Sequence, residues 1–113
     1  MKKDIISALT LVLGVTLFAT SSFSAESQVV LPKNFVGREF AKDAKISLKK
    51  ARATALKTEL GGKITDEELE KEKGGSGLRY SFDVKKGSTT YEVGVDAKTG
   101  KVLENSIEGP NSD

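Results

Sequence analysis

The sequence predicts an α+β domain in which one N-terminal helix packs on a three- to four-stranded antiparallel sheet. Three observations predict it. An alanine-centred apolar stripe at helical spacing runs through residues 48–60 and stops at Gly61-Gly62. Residues 78–84 and 89–95 each alternate apolar and polar side chains, and a short glycine-containing turn separates them. A helical period followed by two strand periods describes a helix laid over a hairpin.

The first element in chain order is a leader. Lys2 and Lys3 form a positive start, Ile5 to Phe18 is apolar, and small polar residues follow to Ala25. This is the order of a secretory signal peptide. The apolar core is shorter than the roughly 18–20 residues of a spanning helix, so cleavage is expected rather than anchoring. Small residues at −1 and −3 place the cut after Ser24, giving a signal peptide over 1–24 and a periplasmic or secreted product. Residues 25–45 then form a partly flexible lead-in segment. Pro32 breaks it, and Asn34 could cap a short helix presenting Val36 and Phe40.

Ser47 is a natural N-cap for the main helix, since its hydroxyl can accept an orphan backbone N–H of the first turn. Leu48, Ala51, Ala55, Leu56 and Leu60 make the apolar stripe, while Lys49, Lys50, Arg52 and Lys57 face outward. Alanine at the stripe's centre permits close approach to a sheet. Gly61-Gly62 ends the helix.

Residues 63–73 (KITDEELEKEK) read two ways. Thr65 and Glu68 have the spacing of a capping box, yet a helix here would bury only Ile64 and Leu69. As a strand, the segment sets Thr65, Glu67, Leu69 and Lys71 on one face, which is equally poor. The residues alone leave it open.

Beyond the flexible stretch 74–77, Tyr80, Phe82 and Val84 face one way, and after Lys86-Gly87-Ser88 so do Tyr91, Val93 and Val95. Asp96 to Gly100 forms a second turn. Asp96 can accept backbone N–H groups at its start, and Gly100 can close it. A short edge strand carrying Val102 follows. Residues 106–113 are expected to be a disordered tail. The predicted core is Leu48, Ala51, Ala55, Leu56, Leu60, Tyr80, Phe82, Val84, Tyr91, Val93, Val95 and Val102.

The ordered set of motifs from Ile46 to Glu104 resembles the PepSY family. It comprises Ile46-Ser47-Leu48 with Ala51, Ala55 and Leu56, then Gly61-Gly62-Lys63, then Tyr80-x-Phe82-x-Val84. Tyr91-x-Val93-x-Val95-Asp96-Ala97-x-Thr99-Gly100-x-Val102 completes it and is the most specific part. The resemblance implies a PepSY-like domain over 46–105 and a strand after Gly61-Gly62. Glu67 departs from the family pattern, where a small or apolar residue is more usual.

The available chemistry is narrow. With no histidine and no cysteine, the common general base, the thiol nucleophile and the usual zinc ligands are missing. Ser47 reads as a cap, and Ser76 and Ser88 sit in turns without a partner that the sequence identifies. Glu67, Glu68, Glu70 and Glu72 alternate with lysines and read as solvated, and residues 96–100 lack the carboxylates of a calcium loop. No catalytic, cofactor-binding or metal-ligating residue is therefore expected, and no cofactor. Without residues 1–24 the chain carries 16 basic and 15 acidic residues. That balance argues against nucleic acid and, after cleavage, against a membrane surface.

Together with the resemblance, this points to an exported, non-enzymatic, monomeric binding module. It is expected to dock on and modulate another envelope or secreted protein, a protease or other hydrolase being the partner class. The alternative is an envelope sensor, or a small-ligand or cation-binding domain, linked to a signalling system.

Overall fold

The computed structural model describes residues 28–109. The expected signal peptide over 1–24, its cleavage after Ser24 and residues 110–113 of the expected tail lie outside the described residues. The chain folds into a short 3-10 helix (Arg38–Asp43), helix α1 (Leu48–Thr58) and strands β1 (Lys63–Lys71), β2 (Leu78–Lys86), β3 (Thr89–Asp96) and β4 (Val102–Ile107). The strands form one antiparallel sheet in the order β1-β2-β3-β4. Helix α1 covers one face, as an α+β arrangement requires.

Ser47 caps α1, its hydroxyl accepting the Lys50 N–H at 3.1 Å. Leu48, Ala51 and Ala55 are buried beneath the helix, both alanines completely. With only methyl groups at the contact, the helix axis settles close to Tyr80, Phe82, Val84, Val93 and Val95, all fully or almost fully buried. Tyr80 and Phe82 stack with ring centroids 6.2 Å apart. The Tyr80 hydroxyl crosses to the helix start and donates to the Ile46 carbonyl at 2.7 Å, satisfying a polar group inside the core.

Several core expectations are corrected. Leu56 is 37% exposed and Leu60 is 71% exposed. Leu56 lies one residue past Ala55, about 100° round the helix and off the narrow stripe. Leu60 lies beyond the last helical residue, Thr58, so helical spacing no longer governs it. Glu59 takes the buried position instead and receives Lys86 at 3.3 Å. Val102 is 42% exposed because β4 is an edge strand at the rim of the helix-covered area. Tyr91 is half-buried at the core's margin, with Lys86 Nζ 5.6 Å from its ring centroid.

The lead-in segment is built into the domain. Leu31 and Phe35 are buried in the core, and the Leu69 N–H donates to the Val36 carbonyl at 2.9 Å, fixing the segment along the free edge of β1. Gly37, not Asn34, precedes the 3-10 helix, and its side-chain-free backbone is required there. It has φ +89°, and an added Cβ would collide with the Leu69 carbonyl. Phe40 packs partly against the core, whereas Val36 is exposed. At the other end, β4 continues to Ile107, two residues beyond the expected domain limit of 105 and into the expected tail.

Candidate functional site

The face of the sheet opposite α1 has no covering layer among the described residues. Its composition follows from strand register. On β2 the core-facing residues are Leu78, Tyr80, Phe82 and Val84, so Arg79, Ser81 and Asp83 turn outward. On β3 the outward set is Thr90, Glu92, Gly94 and Asp96.

Strand β1 reaches the same pattern through an irregularity. Ile64 pairs with Val84 and Asp66 with Asp83, leaving Thr65 as the extra residue of a bulge. The bulge resets the alternation. Ile64 and Leu69, five residues apart, both reach the core side, and Asp66, Glu68 and Glu70 share the outer side. This explains why neither regular period fitted the segment. It also places Glu67 on the helix side, opposite Phe82, where Arg52 holds it through Nε at 2.8 Å and a terminal nitrogen at 2.5 Å. Arg52 thus bends onto β1 rather than simply pointing into solvent.

The outer face is consequently acidic. Across three strands, Asp66, Asp83 and Glu92 stand directly opposite one another. The next row runs from Glu68 through Ser81 and Gly94 to Glu104, and the third from Glu70 through Arg79 to Asp96. Glu108, whose N–H donates to the Thr90 carbonyl at 2.8 Å, extends the acidic set beyond β4. Burial and then the neighbouring carboxylates push three of these groups above the usual carboxylate range. Glu68 feels Glu70, Asp66 and Glu92; Asp83 feels Glu108 and Asp66; Glu92 feels Glu104, Asp83, Glu108 and Glu70.

Cations on this face are few. Arg79 lies flat over Gly94, where any side chain would crowd it, and donates to Glu104 at 3.1 Å and to the Lys73 carbonyl at 3.0 Å. Its Nε is buried without a partner. Lys63 and Lys85 pair with each other at the end nearest the β2–β3 turn. Ser81 donates to Glu70 at 2.6 Å and Ser106 to Glu104 at 3.0 Å. No group of three or more acidic side chains among the described residues is arranged to hold a metal ion.

Asp96 occupies the deepest position and plays a different part. It is 1% exposed. Its Oδ1 accepts the Ser76 hydroxyl at 2.7 Å and the N–H groups of Lys98 and Thr99 at 2.8 and 3.2 Å, while Oδ2 accepts the Ser76 N–H at 2.8 Å. Burial alone would raise its pKa, but these bonds outweigh it and hold the carboxylate at about 2. Ser76 therefore does have a partner, across the sheet end. The pair carries no base, because a carboxylate this acidic is a poor proton acceptor at neutral pH. Asp96 ties the β3–β4 turn to the β1–β2 loop, and Gly100 closes that turn at φ +83°. Gly61, at φ +85°, and Gly62 form the turn between α1 and β1, and Ser88 lies in the β2–β3 turn.

Other features are minor. A shallow, open depression lies between Pro32–Val36 and the Asp66–Glu67 stretch. No helix of the described residues is long and apolar enough to cross a membrane. Sequence reasoning missed the acidic face because Glu68 and Glu70, read along one strand, look like ordinary surface residues. The available signal was the matching acidic positions Asp83, Glu92 and Glu104 on the outward phase of three later strands.

The family described as "PepSY: Peptidase propeptide and YPEB domain" matches residues 45–105, from just before α1 to within β4. Neither the curated proteins nor the solved structures include a significant match.

Proposed function

Because the chain belongs to the PepSY family, we propose that it is an exported, non-catalytic module that docks on another envelope or secreted protein and modulates it. The family's description points to a peptidase as the partner class. The observation that carries the reading is a four-stranded sheet that, among the described residues, has a helix on one face only and an open edge at β4. An antiparallel sheet tolerates such a solvated face, and a free edge can accept a further strand.

The edge has a defined polarity. Glu108 and Thr90 are bonded across the β3–β4 ladder, so alternation directs the backbone groups of Asn105 and Ile107 away from the sheet. By contrast, the depression beside Pro32 is open rather than enclosed, which suits protein contact better than capture of a small molecule.

The test is capture of envelope and secreted proteins by the immobilised purified protein, followed by assay of any captured hydrolase with and without it. One reproducible partner whose activity changes on addition is the expected result. Failure to retain any specific protein, or retention without effect on activity, would count against a modulating role.

A further inference from the structure

We propose that the uncovered acidic face of the sheet is the docking surface for an extended, lysine- and arginine-rich segment of another protein; the inference rests on the docking reading above and names the partner's chemistry. Asp66, Glu68, Glu70, Asp83, Glu92, Glu104 and Glu108 share this face, and its central cation, Arg79, is already bound to Glu104 and the Lys73 carbonyl. The chain as a whole is close to neutral, at +2. Apart from Lys63 and Lys85 at one end of the face, its charge is segregated: exposed Lys49, Lys50 and Lys57 lie on the helix, on the opposite side of the sheet. A polarised surface of this kind selects both the sign and the orientation of an approaching partner.

The arrangement works against the fold. Like charges directly opposite across a sheet are destabilising, and Asp66, Asp83 and Glu92 form an uninterrupted row of them. Mutual repulsion and partial burial act on the same side chains. A partner supplying cations relieves that repulsion on binding, so the unfavourable contact in the free protein adds to affinity in the complex.

Geometry distinguishes the kind of cation. With no cluster of acidic groups suited to a metal ion among the described residues, the charge is spread over the face rather than focused. Asp66, Glu68 and Glu70 recur at every second residue of β1, a repeat of about 6.7 Å. Alternate residues of an extended peptide have the same repeat, so lysines or arginines at every second position can meet successive carboxylates. The narrow width of four strands also suits one extended segment better than a broad globular surface.

The experiment measures binding of a fluorescent decapeptide of alternating lysine and serine to the purified protein at low salt, by anisotropy. A glutamate–serine peptide is the control. The lysine peptide is expected to bind and the glutamate peptide not to. The double variant Asp83→Asn/Glu92→Gln should weaken binding roughly tenfold, as loss of two partly screened ion pairs implies. Glu39→Gln/Asp43→Asn, which neutralises two acids of the 3-10 helix, away from this face, should leave it within about twofold. Removing the repulsion should stabilise the fold, so a lost signal in the face variant is not a folding failure.

Absence of lysine-peptide binding, equal losses in both double variants, or tighter binding of calcium at the face would overturn the inference. So would face-dependent self-association in sedimentation, which would assign the surface to a second copy. A captured partner whose affinity ignores Asp83→Asn/Glu92→Gln would also overturn it, while leaving the docking function intact.

Discussion

Replacing Asp96 with asparagine removes one charge from a site where four donors converge. The carboxylate is almost wholly buried and sits at about pKa 2, against an ordinary value of 3.8. A shift of that size corresponds to about 2 kcal/mol of preference for the ionised form in the folded state. The sign follows from the direction. A lowered folded pKa gives stability that is complete above about pH 4 and is lost as pH falls toward about 2. Asparagine keeps the shape but offers an N–H group toward donors, so Asp96→Asn should lower stability at pH 7 by about 2 kcal/mol or more. With a urea dependence of about 1 kcal/mol per molar, the unfolding midpoint should drop by about 2 M. The assay is urea unfolding followed by circular dichroism at pH 7, 4.5 and 2.5. The gap between the parent protein and the variant should be nearly constant from pH 7 to 4.5 and narrower at pH 2.5. Ser76→Ala, which deletes one of the four bonds, should cost about 1 kcal/mol. A gap that does not change between pH 7 and 2.5 would refute the claim that the ionised carboxylate holds the turn.

The outer face should show the opposite acid behaviour. Glu68, Asp83 and Glu92 have raised values in the folded state, so thermal stability should rise as pH is lowered from 7 through their titration, before the loss of Asp96 reverses it. Differential scanning calorimetry would show the maximum, and Glu92→Gln should flatten the rise. Tyr80, buried and pushed up to about 12, should resist ionisation, with stability lost as pH rises from about 10 toward 12. Ultraviolet titration and the Tyr80→Phe variant check this, the latter costing about 1 kcal/mol through loss of the bond to Ile46. Gly37→Ala should cost about 1–3 kcal/mol from its left-handed backbone and its closeness to Leu69, and should accelerate hydrogen exchange at the Leu69 amide.

The elements with an uninterrupted local period were legible in the sequence. Ser47 with Leu48, Ala51 and Ala55 defined the helix and its buried face, and the alternation around Phe82 and Val93 defined the hairpin. Strand β1 was legible only through the family resemblance, which implied it; its residue period was not, because one bulged residue shifts its phase and only pairing with β2 reveals the shift. Leu56 and Leu60 misled because hydrophobicity marks what can be buried, whereas helix length and the narrow alanine contact decide what is. Glu67 looked misplaced until Arg52, fifteen residues earlier, closed on it. The acidic face belongs to the same class: each carboxylate is unremarkable along its own strand, and its meaning lies in what stands across from it.

The two borders of the sheet are not equivalent. Val36 bonds to Leu69 near the C-terminal end of β1, so that border is partly taken, whereas β4 has no strand or loop paired along its outer side among the described residues. Sheet extension between identical molecules through β4 would join β4 to β4 around a twofold axis. A pair joined in this way presents a partly occupied β1 border at each end, which works against further extension into fibres.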